Sequence, residues 1–256
     1  MRSLWRIRPA DPAAAALALE TGVPELLASL LIRRGASTAG AVRAFLRPDP
    51  AALHDPFLLK GAAEAADVLV RAARSKRRIV VFGDYDVDGV TSVAQLRAAL
   101  LRAGADAVAF LPHRLRDGYG LRADTVRRVL RELRPAVLVT VDCGITAVEG
   151  VACARAAGVE VVVTDHHLVP DALPAGAVVV NPRQPGCAYP EKELAASGIA
   201  MKIAEAVAAR AGVRLARESL LRAAALGTIA DLVPLTGENR TIAALGLAAL
   251  ASPKSP

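Results

Sequence analysis

Five short apolar runs recur through the middle of the chain: RIVVFG at 78–83, AVAFLP at 107–112, AVLVTV at 136–141, VEVVVT at 159–164 and AVVVN at 177–181. They are rich in β-branched residues and lack an apolar–polar alternation, so as strands they must be covered on both faces. Helical patterns at 91–103, 122–133 and 146–157 separate them. This alternation predicts an α/β fold, a parallel five-stranded sheet with helices on both faces. Crossovers of one hand then bring every strand's carboxyl end to the same edge. Helical periodicity also fills 9–75, broken by Pro48, Pro50 and Pro56, with a helix expected at 62–74. After Pro190 the pattern is helical again, at 191–211, 216–230 and 239–251. The expected organisation is a helical N-terminal segment at 1–75 packing on the core, an α/β domain at 76–240, and the start of a connecting helix at 241–256.

Polar chemistry collects after the strands. GDYDVDG follows the first, with Asp84, Asp86 and Asp88, and His113 and Arg114 follow the second. Asp142 and Cys143 follow the third, Asp165, His166 and His167 the fourth, and Asn181 ends the fifth. Ligands of open parallel sheets bind at that edge. Three carboxylates within five residues repel one another unless a cation sits among them. Oxygen ligands suit Mg²⁺ or Mn²⁺, and added imidazole favours Mn²⁺. With Asp142 and His166 nearby, two cations sharing a carboxylate would clamp the attacking and leaving oxygens of a displacement at phosphorus. Asp165 is positioned to orient one imidazole. An EF-hand loop also begins D-x-D-x-D-G, but its twelfth position here is Gln95 and a strand precedes it. Helix capping explains one of the aspartates and not three. Cys143 is read as a small residue filling the strand end rather than a nucleophile. Neither a phosphate-binding G-x-x-x-x-G-K-[ST] loop nor a G-x-S-x-G elbow is present.

Composition sets the outer limits. With 54% hydrophobic and 22% charged residues the chain is a folded one, and no run approaches the roughly 20 apolar residues of a membrane helix. Asp11 and Pro12 interrupt what would otherwise resemble a leader. Three cysteines without C-x-x-C spacing fit a reducing, cytoplasmic setting. The net charge of +7 fits an anionic partner such as nucleic acid, although an arginine- and alanine-rich composition yields the same charge.

GDYDVDG, VTVDCGI and VVVTDHH, in this order, resemble the first three motifs of the DHH phosphoesterase superfamily. LHDPFLLKG, PHRLRDGYGL, NPRQPGCAYPEKELAASGIAMKIAEAV and ALGTIADLVPLTGENR are similar to further blocks of its RecJ branch, across residues 30–248. The resemblance implies metal ligation by Asp86, Asp88, Asp142, His166 and Asp231, with Asp84 adjacent and Asp142 as the bridging carboxylate. It implies that His167 contacts the scissile phosphate and that Arg114 and Asn181 contact phosphate or the first nucleotide. Ser197 and Gly198 start a helix whose N-terminus is a natural anion site. Phe82 stands where superfamily members acting on pyrophosphate or small nucleotides often carry histidine, which favours the RecJ branch. The implied activity is two-metal, Mn²⁺- or Mg²⁺-dependent 5′→3′ exonuclease action on single-stranded DNA in repair and recombination. The implied setting is a monomer working with single-strand-binding protein or a helicase. Two other readings stay open: a phosphodiesterase for short oligonucleotides or small nucleotides, and a non-catalytic nucleic-acid-binding relative. RecJ-like enzymes carry a second core domain and an OB-like domain, and the expectation here is a fragment or a short member ending at Pro256.

Overall fold

The computed structural model describes residues 6, 8, 9 and 11–251. Its contacts divide the chain into two units, Met1–Asp49 and Pro50–Pro256. In the smaller unit, α1 (Ala14–Thr21), α2 (Glu25–Arg33) and α3 (Ala39–Leu46) enclose a core that includes Leu17, Leu31 and Val42. The α3 N-terminus is capped by Thr38, whose hydroxyl accepts from the Ala41 amide at 3.2 Å.

The division falls after Asp49, not near residue 75. Helix α4 (Ala62–Arg74) belongs to the larger unit because its apolar face, Ala62, Ala65, Ala66, Leu69, Ala72 and Ala73, is buried in the same cluster as Ile79 and Val81. The other strands and α-helices of the unit are β1 (Ile79–Phe82), α5 (Val87–Arg102), β2 (Ala107–Phe110), α6 (Ala123–Leu133), β3 (Val137–Val141), α7 (Val148–Ala156), β4 (Glu160–Thr164), β5 (Val178–Val180), α8 (Ala196–Ala211), α9 (Arg217–Ala230) and α10 (Gly237–Ala251). Residues 91–95 continue a helix that already starts at Val87, inside the acidic motif. Residues 191–195 stay outside α8 because their backbone is bonded elsewhere: Asn239 Nδ2 donates to the Glu193 carbonyl at 2.6 Å.

The sheet is five-stranded and parallel, in the order β2-β1-β3-β4-β5. Successive strand residues enter opposite cores. Ile79, Val81, Val137, Val139 and Val162 join the cluster that contains α4, α5 and α8, whereas Val80, Phe82, Leu138, Val161 and Val163 join the one under α6 and α7. Two-sided burial is why the central strands β1, β3 and β4 are apolar at nearly every position, and each fully buried Val, Leu, Ile or Phe contributes roughly 1.5–3 kcal/mol. Strand order reverses between β1 and β3, the place where doubly wound sheets open a crevice. The pairings Phe82↔Thr140, Thr140↔Val163 and Thr164↔Val180, continued past the strand ends, put Asp84, Asp142, Asp165 and Asn181 in one row.

A buried ionic cluster ties the later helices together. Lys202 on α8 lies 2.8 Å from Glu238 on α10 and donates to the His54 carbonyl at 2.7 Å. Glu238 accepts from the His54 amide at 2.9 Å and the Tyr189 hydroxyl at 2.5 Å. Lys202, Glu238 and Tyr189 are all buried. Removing one partner of such a pair strands an uncompensated charge. Lys202→Met is therefore expected to cost about 3–5 kcal/mol in chemical denaturation, and Lys202→Met combined with Glu238→Leu to recover most of that loss. A single substitution that leaves the midpoint unmoved would show that the cluster does not stabilise the unit.

Candidate metal centre

The crevice at the strand-order reversal is lined by carboxylates that the local fold holds individually. Asp84 is buried just after β1 and accepts from the Tyr85 amide at 2.7 Å. Asp86 is exposed and caps α5, its Oδ1 accepting from the Gly89 amide at 2.9 Å. Gly89 is required there, since a Cβ would stand 2.6 Å from the Asp84 carbonyl oxygen. Asp88 is buried and turns towards α8, accepting from the Ala196 and Ser197 amides at 2.9 and 2.8 Å. Capping thus engages two of the motif's aspartates rather than one, because α8 brings a second helix N-terminus to the same place. The EF-hand alternative ends here as well: residues 87–95 are helical, and buried Gln95 donates to the Ser197 carbonyl at 3.1 Å.

Asp142 follows β3 in the left-handed region, with φ of 61°, a conformation Asp tolerates better than most residues. Its amide donates to the Thr164 carbonyl at 3.1 Å, which fixes it against β4. The Nε2 of buried His166 lies 3.3 Å from Asp142 and 3.7 Å from Asp231 at the end of α9, yet has no hydrogen-bond partner. An unsatisfied buried nitrogen facing carboxylates fits a cation ligand. Among the described residues, three groups of side chains bring ligand atoms within 4.8 Å of one another: Asp84, Asp86 and Asp142; Asp142, His166 and His167; and Asp88, His166 and Asp231. Asp142 belongs to two of them, which fits a shared carboxylate.

The electrostatics agree with that donor set. Burial, then the Asp88 and Asp86 carboxylates, push the Asp142 carboxyl up to about 10. Burial also raises Asp84, Asp88 and Asp231 above the ordinary carboxylate range. A divalent cation among these groups would reverse the cost of charging them. Burial, followed by the neighbouring Asp165 and Asp142, pushes the Cys143 thiol well up, so it stays protonated and fills the strand end as expected.

Next to the acidic groups lies a histidine bonded to a carboxylate of its own. Burial opposes charge on Asp165, but its bonds to His167, Ile145 and the chain outweigh it and hold the carboxyl low. Asp165 accepts from the His167 ring Nδ1 at 2.7 Å, and this bond raises the His167 ring above the ordinary histidine range. The other ring nitrogen, Nε2, lies 3.3 Å from the Tyr119 hydroxyl. Arg114 is exposed at the rim, its guanidinium 5.2 Å from the Tyr85 ring centre.

Three expected substrate contacts are corrected. Asn181 is fully buried and holds the chain, donating to the His167 carbonyl at 3.0 Å and accepting from the Arg183 amide at 2.8 Å. Ser197 and Gly198 are buried too, and the anion at their helix N-terminus is the Asp88 carboxylate. Two residues of the site are absent from the sequence-based set. A Cβ at Gly227 would lie 2.5 Å from Asp88 Oδ1, so the glycine makes room for the Asp88–Ser197 bond, and nothing in the sequence around it signals that. Tyr119 does carry a signal, as a lone aromatic between two glycines in a chain with only 3% aromatic residues.

The chain matches the DHH family, N-terminal domain, over residues 78–228. It is 41% identical over 244 residues to the single-stranded-DNA-specific exonuclease RecJ of Bacillus subtilis, across 95% of this chain and 30% of that protein. To RecJ of Dickeya dadantii it is 39% identical over 249 residues, across 92% of this chain and 42% of that one. The crystal structure of Thermus thermophilus RecJ in complex with Mn²⁺ superposes with a TM-score of 0.78 at 34% identity, over 98% of this chain and 35% of that one. A structure of exonuclease RecJ bound to manganese gives 0.69 at 40% identity, over 76% and 49%. The chain spans less than half the length of these relatives.

Two outcomes follow from the electrostatics and the packing. A carboxyl raised from 3.8 to about 10 on folding binds an extra proton in the folded state between those limits, so its stabilising contribution falls as pH rises. His167, also raised, acts in the same direction. The melting temperature of the chelator-treated protein is expected to fall by several degrees from pH 5 to pH 9, and the slope to flatten in Asp142→Asn. Added Mn²⁺ restores stability most at the alkaline end, because ligation needs the deprotonated groups. Secondly, Gly227→Ala is expected to cost about 1–3 kcal/mol and to weaken Mn²⁺ binding roughly 10–100-fold. Unchanged Mn²⁺ affinity by titration calorimetry would disconnect Asp88 from the centre.

Proposed function

The chain belongs to the DHH family, and from that membership we propose that it is the metal-binding catalytic part of an exonuclease that hydrolyses single-stranded DNA from the 5′ end. The observation that carries the reading is the buried His166 Nε2, without a hydrogen-bond partner and 3.3 and 3.7 Å from Asp142 and Asp231. The donor set supports hydrolysis over a binding-only role, since the carboxylates and both imidazoles of the centre are present. The names of the relatives support the substrate, and the net charge of +7 suits it. Cytoplasmic action is supported by three cysteines that are all unpaired.

In this reading Asp84, Asp86 and Asp142 would hold one cation and Asp88, His166 and Asp231 a second, with Asp142 lying beside His166 between the two groups. Mn²⁺ or Mg²⁺ bound there supplies charge neutralisation at phosphorus and acidifies a water molecule. Asp165 favours the charged form of His167 and fixes its ring, leaving Nε2 to donate to a phosphate oxygen as negative charge develops. Arg114 adds positive charge at the rim, where the strand's phosphates approach.

The test uses a 5′-phosphorylated, 3′-labelled single strand with Mn²⁺. The parent is expected to release mononucleotides from the 5′ end, Asp142→Ala to release none, and His167→Ala to lose roughly 10²–10³ in kcat. Equal cleavage by parent and Asp142→Ala would overturn the reading. Cleavage confined to dinucleotides would reassign the substrate to short oligonucleotides.

A further inference from the structure

His167 and Asp165 also line a cavity of about 470 Å³ between the segments that lead into α6 and α7. That volume falls within the roughly 300–1,000 Å³ of small-molecule sites. Its apolar lining includes Leu121 and Ile145, both buried. Two large side chains in its wall are left open to water, Tyr119 at 52% exposure and Leu168 at 75%. A half-exposed aromatic ring and an exposed leucine over an apolar lining make a surface that a flat, apolar-faced group would cover.

The location fixes what that group is. The Tyr119 ring centre lies 6.2 Å from the His167 ring centre, in an edge-on arrangement, and the Tyr119 hydroxyl lies 3.3 Å from His167 Nε2. A phosphate against His167 therefore leaves the rest of its own nucleotide beside Tyr119. We propose that the cavity takes the nucleobase of the nucleotide whose phosphate meets His167, with Tyr119 as the stacking face. The proposal rests on the reading of the centre as a phosphodiester site and adds the base-binding half of it. The charged groups of the lining are Asp165, committed to His167 and the chain, His167 itself, and Arg122. The apolar lining and the Tyr119 face offer stacking, which every base can make.

Calorimetric titration of the Mn²⁺-loaded protein with dAMP and with 2-deoxyribose 5-phosphate, which keeps the phosphate and sugar and lacks the base, tests this. The parent is expected to bind dAMP about 5- to 150-fold more tightly, the worth of one stacked base. Tyr119→Ala should close that gap while keeping its Mn²⁺ affinity, which separates a lost stacking face from a lost fold. Tyr119→Phe, which keeps the ring and loses the hydroxyl beside His167, should preserve it. Equal affinity of the parent for both compounds, no binding of dAMP at millimolar concentration, or a gap that survives Tyr119→Ala would each overturn the proposal. Strand cleavage run on the same preparation separates the two readings. A base-dependent gap without cleavage leaves the cavity standing and removes the nuclease, and cleavage without a gap does the reverse.

Discussion

Asp84, Asp86, Asp88, Asp142 and Asp231 carry like charge and are drawn together where strand order reverses, and that repulsion is the constraint the rest of the unit answers. Burial makes it worse, since each ionised carboxylate loses water as well as meeting its neighbours. The fold meets the constraint with fixed donors. Asp86 is held by the first turn of α5, Asp88 by the two amides that open α8, and Asp142 by a left-handed turn bonded to β4. The positions are set by hydrogen bonds that need no cation, while the charge state is left for a cation to settle. Such a centre is preorganised for metal, because ligands already in place need little reordering on binding.

Asp88 has a second consequence. Its bond to α8 couples the acidic motif after β1 to a helix more than 100 residues further along the chain. Helix α8 in turn presses Ser197 against α9 at Gly227, and α9 ends at Asp231, the carboxylate of the cluster that no strand supplies. The Lys202–Glu238 pair then ties the same helix to α10 and to the segment around His54. The late helices are thus the structure that delivers the last carboxylate to the sheet edge.

The strands and the convergence of Asp84, Asp142, Asp165 and His166 were legible in the sequence because they follow from local pattern. A run such as VVVT is apolar on both faces only if both faces are covered, and parallel pairing then aligns the residues that come next. The errors share one physical cause, the dependence of a side chain's role on a partner far away in sequence. Nothing near Ser197 announces that Asp88 occupies its helix N-terminus, and nothing near Asn181 that it holds the His167 carbonyl. The helical character of 62–74 was readable, but its membership of the larger unit depended on which sheet face it covers. Lys202 looks like a surface charge on an alanine-rich helix until Glu238, 36 residues later, is known to be beside it.

Asp142 and Asp165 show how environment divides the labour of two similar groups. They occupy matching positions after β3 and β4, and their exposures, 2% and 1%, are nearly the same. Burial alone would raise both. Asp142 faces Asp88 and Asp86 and is pushed up to about 10. Asp165 accepts from the amides of Ile145, His166 and His167 and from the His167 ring, and is held low. Four N–H donors outweigh the same desolvation that dominates at Asp142. One row of the sheet edge therefore ends in a carboxylate whose ionisation a cation would favour and a neighbour that favours the charged form of His167. The same desolvation thus leaves one carboxylate suited to a cation and makes the other the anchor of a ring suited to an anion.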